Sequence, residues 1–155
     1  MGYTTEFNGS ITVTPPLNEH EVSFLKAFNT TRRMNRTNGP LFVEGTGPYG
    51  QGHDPDVLDH NSPHPDQPGL WCQWEVTDDG TEIQWDGGEK FYYAPEWMEY
   101  LVKKLLSAEA KDYVAAHRSE DARLAHFTCD HNFHGVIEAQ GEDEDDRWVI
   151  EVVTV

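Results

Sequence analysis

An alternating segment followed directly by a capped helix opens the chain and restricts the folds that it can adopt. Residues 7–13 alternate apolar and polar side chains, which is the period of a half-buried β-strand. Pro15-Pro16 ends the strand, because proline cannot donate to a sheet ladder. Asn18 and Glu21 then supply the two halves of a capping box, and apolar residues recur at helical spacing over residues 22–28. These features predict a strand–helix unit.

The rest of the chain continues this mixture of strands and helices. Asp78-Asp79-Gly80 marks a turn between two alternating segments, which is typical of a β-hairpin. Pro95 is a favourable first residue for a second helix. The expected elements are a hairpin over residues 71–85, a helix from about residue 95, its continuation or a further short helix over residues 108–118, and two strands over residues 127–139 and 148–155.

This order of elements is an α+β pattern, and we expect residues 1–155 to form a single domain. A ferredoxin-like antiparallel sheet of four to five strands satisfies the order. Two principal helices would then cover one face of the sheet, and the last strand would be an addition at the C-terminus. The expected domain also contains a long internal loop at about residues 30–70.

The segment over residues 30–70 has no hydrophobic period and is rich in glycine and proline. A loop of this length in a compact domain is usually either functional or disordered. We expect at most a short strand at Leu41–Val43. We expect order in the second half, because its prolines lower the entropy cost of ordering and because Asp59 and Asn61 can bond to loop amides.

The negative charge of the chain is concentrated after residue 40. The formal net charge is −17, and residues 1–40 contain three Asp or Glu against four Lys or Arg. The same counts are thirteen against one over residues 41–100 and twelve against six over residues 101–155. Such a body repels DNA, RNA and anionic membranes, and it attracts basic surfaces and cations. We therefore expect no direct contact with nucleic acid or membrane.

Other features point to a cytoplasmic protein. No apolar run is long enough to span a bilayer, and the N-terminus lacks the pattern of a secretory signal. Cys72 and Cys129 have neither metal nor redox spacing, so we expect two buried, reduced thiols. No nucleophile–base order predicts catalysis, and no motif predicts a cofactor. The sequence leaves open whether the chain is an enzyme.

Two groups of histidines stand among carboxylates. His53, His60 and His64 share a segment with four aspartates, and His131 and His134 lie near the start of a predicted strand. Imidazole and carboxylate groups bind divalent transition metals, but neither spacing matches a known metal motif. We therefore expect no metal site in the chain.

An isolated group of arginines follows the first helix. Arg32, Arg33 and Arg36 stand in the one part of the chain that is not acidic. They are either cations that complete the helix C-terminus or a clamp for an anion, since guanidinium groups bind carboxylates bidentately. We expect Arg32 or Arg33 to pair with Asp59 or Glu89 and so to tie the long loop to the sheet.

The central tryptophans and tyrosines suggest a recognition surface. Alternation places Trp71 and Gln73 on the face opposite Cys72 and Trp74. One face of this segment is then core, and the other is an aromatic and polar surface. We regard Trp71, Gln73 and Tyr92 as candidates for contact with a partner.

Several motifs carry a resemblance to a known family. They are Met1-Gly2-Tyr3-Thr4-Thr5, Thr31-Arg32-Arg33-Met34, the run from Asp59 through Asn61 to Pro63, Gln67-Pro68, Leu70-Trp71-Cys72-Gln73-Trp74, Trp85 to Tyr92, and Gly141-Glu142-Asp143. With these motifs the chain resembles an uncharacterised family of small actinobacterial and bacteriophage proteins, in which Tyr is expected at the position of His60. The resemblance implies no catalytic residues. It directs attention to the polar members of the motifs, namely Arg32, Arg33, Asp59, Asn61, Gln73, Glu89 and Lys90.

Two hypotheses for function follow from these observations, and a third interpretation is that the motif residues only hold the long loop in place. The first is a small acidic protein-binding module, encoded by a bacteriophage, that engages a basic, nucleic-acid-binding host protein by surface competition or charge mimicry. The second is a small-molecule or nucleotide-binding protein or enzyme, in which the polar motif residues converge in a pocket under the long loop. The candidate binding residues for either function are Arg32, Arg33, Asp59, Asn61, Trp71, Gln73, Glu89, Lys90 and Tyr92.

Overall fold

A five-stranded antiparallel sheet with helices on one face forms the centre of the computed structural model, which describes residues 2–154. The fold is therefore α+β, as the sequence predicts. The strands are β1 (Glu6–Thr14), β2 (Met34–Arg36), β3 (Val57–Pro63), β4 (Trp74–Val76), β5 (Glu82–Trp85), β6 (Asn132–Gln140) and β7 (Arg147–Val153). The α-helices are α1 (Glu19–Asn29), α2 (Ala94–Tyr100) and α3 (Lys111–Ala116).

The strand order in the main sheet is β4-β5-β1-β6-β7, and every neighbouring pair is antiparallel. β1 is the central strand and pairs with β6 along its whole length, from Glu6 opposite Gln140 to Thr14 opposite Asn132. Its pairing with β5 is much shorter and joins only Ile11 to Ile83 and Thr12 to Glu82. β1 and β5 therefore separate towards the N-terminal end of β1.

Only one face of the sheet is buried. The inward residues of the five strands include Phe7, Ile11, Trp74, Ile83 and Ile137, and each of them is less than a tenth exposed. They pack against helices α1 and α2 and against the segment that follows α2. The polar residues that alternate with them point away from the helices. The sheet thus has a covered inner face and an open outer face.

The helices begin and end where local chemistry favours it. The Asn18 side chain accepts from the Glu21 amide, and the Glu21 carboxylate accepts from the Asn18 amide, which confirms the predicted capping box. α2 begins beside Pro95 and continues into a π-helical segment, Leu101–Leu106. α3 is the further short helix that the pattern over residues 108–118 allowed.

The long segment after α1 contains a small two-stranded sheet. β2 and β3 pair there in antiparallel fashion, with irregular register. The strand expected at Leu41–Val43 is absent, because these residues occupy a turn and extended backbone, while Leu41 and Val43 contribute side chains to the core. The segment as a whole is therefore an inserted hairpin with loops on either side, and Gln67 is buried within it.

Two predicted strands are shorter than the sequence suggested. β4 begins at Trp74 and not at Trp71. Before it, the Leu70 carbonyl accepts from Arg33 N–H at 2.7 Å and the Cys72 carbonyl accepts from the Asn29 side chain at 3.2 Å. β6 begins at Asn132 and not at Phe127. Residues 127–131 leave the strand path so that the His131 side chain can turn towards the start of α1.

A buried ion pair joins the start of α1 to the start of β6. The His131 ring lies between the Pro15 carbonyl, 2.7 Å from Nδ1, and the Glu21 carboxylate, 2.9 Å from Nε2. The two side chains are 2% and 0% exposed. Burial acts against the charged ring, but the hydrogen bond and charge of Glu21 outweigh it and raise the pKa of His131. Both ring nitrogens then donate.

No helix among residues 2–154 combines the length and the apolar composition that a membrane span requires.

We expect the His131–Glu21 pair to make stability depend on pH. Because the folded-state pKa of His131 is raised, its contribution is fully present below the ordinary value of about 6.5 and is lost as the pH rises through the folded value. His131→Gln keeps a polar side chain but cannot carry the proton. Urea unfolding should show a loss of about 2 kcal/mol for His131→Gln at acidic pH. The difference from the wild type should shrink as the pH rises through the raised folded-state pKa. A difference that stays constant with pH would contradict the ion pair.

Candidate functional site

The residues that the sequence singled out do not meet at one place. Arg32, Asn61 and Trp71 form one partly exposed cluster beside the inserted hairpin. Arg32 Nε donates to His60 O at 3.0 Å, and its Nη2 reaches Asn61 Oδ1 at 3.4 Å. The guanidinium lies 5.9 Å from the centre of the Trp71 ring, and Tyr49 packs edge-on against the same ring. This cluster is an aromatic and cationic patch.

Asp59 lies on β3 next to this cluster and contributes locally. Its carboxylate accepts from the Asn61 amide at 2.9 Å, which is the loop-amide bond expected from the sequence. The Asp59 side chain is exposed.

Gln73 and Glu89 form a second contact on the other side of Trp71. Gln73 Nε2 donates to the Glu89 carbonyl at 3.1 Å, and Gln73 Oε1 is buried without a partner among the described residues. Gly88 packs closely here, because a Cβ at that position would lie 2.7 Å from Gln73 Oε1. The Glu89 carboxylate itself is exposed to solvent. The motif from Trp85 to Tyr92 therefore shapes a turn around the Gln73 amide.

Lys90 and Tyr92 lie on the surface further along this turn. Lys90 has a backbone φ of 55°, and its ammonium is 3.9 Å from Glu89. Tyr92 is 53% exposed. Both side chains lie against the N-terminal residue Gly2, away from Arg32.

Arg33 is part of the interior. It is 4% exposed and lies 4.8 Å from the centre of the Phe28 ring. Its guanidinium donates to Pro40 O at 3.1 Å and to Phe42 O at 3.0 Å. Burial lowers the pKa of Arg33 to about 10, which still leaves it charged at neutral pH. Its partners are these carbonyls of the inserted segment together with the hydroxyl and the carbonyl of Thr31.

The expected pairing of Arg32 or Arg33 with Asp59 or Glu89 is wrong. Neither arginine forms an ion pair with these carboxylates in the described part of the chain. The tether of the long loop exists, but it uses carbonyl acceptors. Arg33 holds the first part of the insertion against α1 through main-chain oxygen atoms, which single-sequence reasoning about charges does not detect.

Arg36 pairs with two aspartates of the segment that contains His53, His60 and His64. Its guanidinium is 2.9 Å from Asp56 and 3.3 Å from Asp54, and its side chain is 3% exposed. Hydrogen bonds from Thr46, with a contribution from Arg36, lower the pKa of Asp54. Over residues 2–154, no three His, Cys, Asp or Glu side chains are grouped as ligands for a metal ion. Asp54 and Asp56 therefore pair with Arg36, while Asp59 and Asp66 accept hydrogen bonds from Asn61 and Tyr113.

Both cysteines are buried free thiols. Burial raises the pKa of Cys72 to about 12, and it also raises the pKa of Cys129. A thiol that stays protonated at neutral pH is a poor nucleophile. The arrangement at each cysteine is that of a core side chain, as expected.

The outer face of the sheet is an exposed surface that the motif residues did not predict. β1, β6 and β7 expose their outward side chains along the whole of this face. Val136, Val149 and Val153 are 45%, 58% and 62% exposed. The carboxylates on the face belong to Glu6, Glu75, Glu82, Glu138 and Glu151, and the outward basic side chains are His134 and Arg147.

A shallow cleft of about 710 Å³ lies on this face, where β1 and β5 separate. Glu6, Glu138 and Val149 are among its lining residues. The β6–β7 turn adds five consecutive acidic residues, 142–146, at the same end of the sheet. The turn is tied down, because Tyr3 Oη donates to Asp146 at 2.7 Å and the Thr4 amide donates to Glu142 at 2.9 Å. The cleft is thus lined by two carboxylates, by Arg147 and by apolar side chains, and the acidic turn lies at its end.

The signal for this face was present in the alternation of the strands. Glu6 and Asn8 in β1 and Glu138 in β6 occupy the polar positions of alternating segments. These residues lie on the face of the sheet that is opposite to α1 and α2. A sequence pattern alone does not determine that both helices pack on the same side.

The chain matches no protein-family model, no curated protein and no solved structure in the three comparisons made.

We expect the two neighbouring arginines to differ in their importance for stability. Arg33→Met removes the donors to two carbonyls in the interior and should lower the free energy of unfolding by about 3 kcal/mol. Arg32→Met alters a partly exposed cluster and should cost less than about 1 kcal/mol. Urea denaturation of both variants measures this. Equal losses for the two would contradict the assignment of Arg33 as the anchor.

Proposed function

We propose that the chain is a small acidic protein-binding module whose outer sheet face engages a basic surface on another protein. The observation that carries this proposal is the uncovered face itself, on which Glu6, Glu138 and Glu151 stand around exposed valines. Solvent-exposed apolar side chains rimmed by charge are a feature of interaction sites. The carboxylates steer a cationic partner, and the valines supply area for burial.

The target class follows from the charge. A face with this density of carboxylates resembles a polyanion, so a nucleic-acid-binding protein is a suitable partner. The module would act by competition for that protein's basic surface, without catalysis. Association would be fast at low ionic strength and would weaken as salt screens the charges.

The pocket hypothesis receives less support from the geometry. It requires Arg32, Arg33, Gln73 and Glu89 to converge, whereas Arg33 is buried and the other three are divided between two surface clusters. An open, acidic face is a better match to a protein partner than to a nucleotide, whose phosphates it would repel.

The architecture and setting form part of the same proposal. The strand order β4-β5-β1-β6-β7, with α1 and α2 in the two crossovers, supports a ferredoxin-like sheet extended by β7. Two buried free thiols support a cytoplasmic location. An actinobacterial or bacteriophage origin rests on the motif resemblance alone.

We expect charge on the outer face, and not net charge, to control binding. Protamine, a strongly basic DNA-binding protein, serves as the probe, and displacement of a labelled DNA duplex from it is the readout. Glu6→Gln with Glu138→Gln should raise the concentration needed for displacement roughly threefold or more, because two neighbouring carboxylates are lost from the contact.

The matched control is Glu96→Gln with Glu109→Gln, which removes the same two charges from exposed positions in the helical layer. This variant should displace DNA as the wild type does. Equal weakening in the two double variants would show that only net charge matters, and the outer face would then not be the site.

A further inference from the structure

The two edges of the main sheet are protected to different degrees. β4 is three residues long. At the edge of β4 that does not pair with β5, the Asn29 side chain donates to the Trp74 carbonyl at 3.3 Å. β7 is seven residues long and pairs only with β6 within residues 2–154. A long, unpaired edge strand is a template for pairing with another chain unless it is blocked.

The direction of the free backbone groups of β7 follows from the bonds at its ends. The Thr154 amide donates to Phe133 O, and the Gly141 amide donates to Asp146 O. In an antiparallel ladder, residues facing the partner strand alternate with residues facing away. Even-numbered residues of β7 therefore face β6, while Val149 and Glu151 direct their N–H and C=O groups to the open edge.

We propose that β7 is the interface of a homodimer, in which two copies pair antiparallel with Val149 on the two-fold axis. In this register Arg147 of one copy stands opposite Glu151 of the other, and the same pair repeats across the axis. Each Val149 amide bonds the other Val149 carbonyl, and each Glu151 amide bonds the Arg147 carbonyl across the axis. The strand is thus complementary to itself in charge and in hydrogen bonding.

Charge favours the register with Val149 on the two-fold axis over the registers with the axis at Ile150 or Glu151. An axis at Glu151 would place two carboxylates directly opposite one another, which is unfavourable. An axis at Ile150 would place Arg147 opposite Val153 and leave both charges without a partner. Only the axis at Val149 gives two opposed Arg–Glu pairs with a valine pair between them.

The inner side of the edge offers the space that a second copy needs. A groove of about 420 Å³ runs between β7 and α2 and is lined by Met98, Val102, Trp148 and Ile150. With Val149 on the axis, Trp148 of one copy lies opposite Ile150 of the other. The half-exposed Trp148 ring then becomes covered by apolar side chains, which favours association.

The dimer should become more stable as salt is added, whereas a complex with a basic partner should become weaker. Each copy has a formal net charge of −17, so the two copies repel each other when salt is low. Screening lowers that repulsion, and we expect the dimer to strengthen as the ionic strength rises. This inference does not depend on the proposed basic partner, since the dimer forms from the chain alone.

A charge swap tests the register by sedimentation equilibrium, at salt concentrations of about 0.1 M and about 1 M. Arg147→Glu and Glu151→Arg each place like charges opposite one another and should raise the dimer dissociation constant roughly tenfold or more. The double variant Arg147→Glu with Glu151→Arg restores opposite pairs and should dimerise as the wild type does. The single variants change net charge in opposite directions, so net charge cannot explain a loss common to both.

Val149→Pro tests the edge without using charge. Proline removes the outward N–H at the two-fold axis, and edge strands tolerate proline where that group faces solvent. This variant should be monomeric with a circular dichroism spectrum like that of the wild type. A wild-type chain that stays monomeric at about 0.1 mM in both salts would overturn the proposal. Single variants that dimerise normally, or a double variant that does not recover, would also overturn it.

Discussion

The whole structure depends on the one-sided burial of the five-stranded sheet. The apolar residues of each strand, such as Ile11, Ile83 and Ile137, face one side, and helices α1 and α2 pack there. Period-two alternation imposes this arrangement, because a shift of one residue in any strand would reverse its faces. The open outer face, with the cleft on it, is a consequence of that constraint, while the free edge at β7 follows from the strand order.

Buried cationic side chains hold parts of this acidic chain together. Arg33 holds the inserted segment through carbonyl oxygens, Arg36 holds it through Asp54 and Asp56, and His131 joins Glu21 at the start of α1. Each lies in the interior, where a charge is tolerated only with partners. Most of the carboxylates without such partners are on the surface, and five of them, Glu6, Glu75, Glu82, Glu138 and Glu151, lie on the outer face of the sheet.

The sequence was informative where periodicity and capping govern the structure. The alternation of residues 7–13, the Asn18–Glu21 capping box and the hairpin around Gly80 all have clear local signals, and the α+β class follows from their order.

The insertion after α1 could not be predicted in the same way, because β2 is three residues long and is held by Arg33 and by contacts distant in sequence. For the same reason the charge pattern suggested carboxylate partners for Arg33, where the structure supplies carbonyls.

We propose the open acidic face as the contact surface for a basic partner. A titration of isotope-labelled protein with a decalysine peptide, followed by amide chemical shifts, would locate that contact. The largest changes should fall on β1, β6 and β7, around Glu6, Glu138 and Val149. Changes centred on α1 and α2, or on the cluster of Arg32 and Trp71, would contradict it.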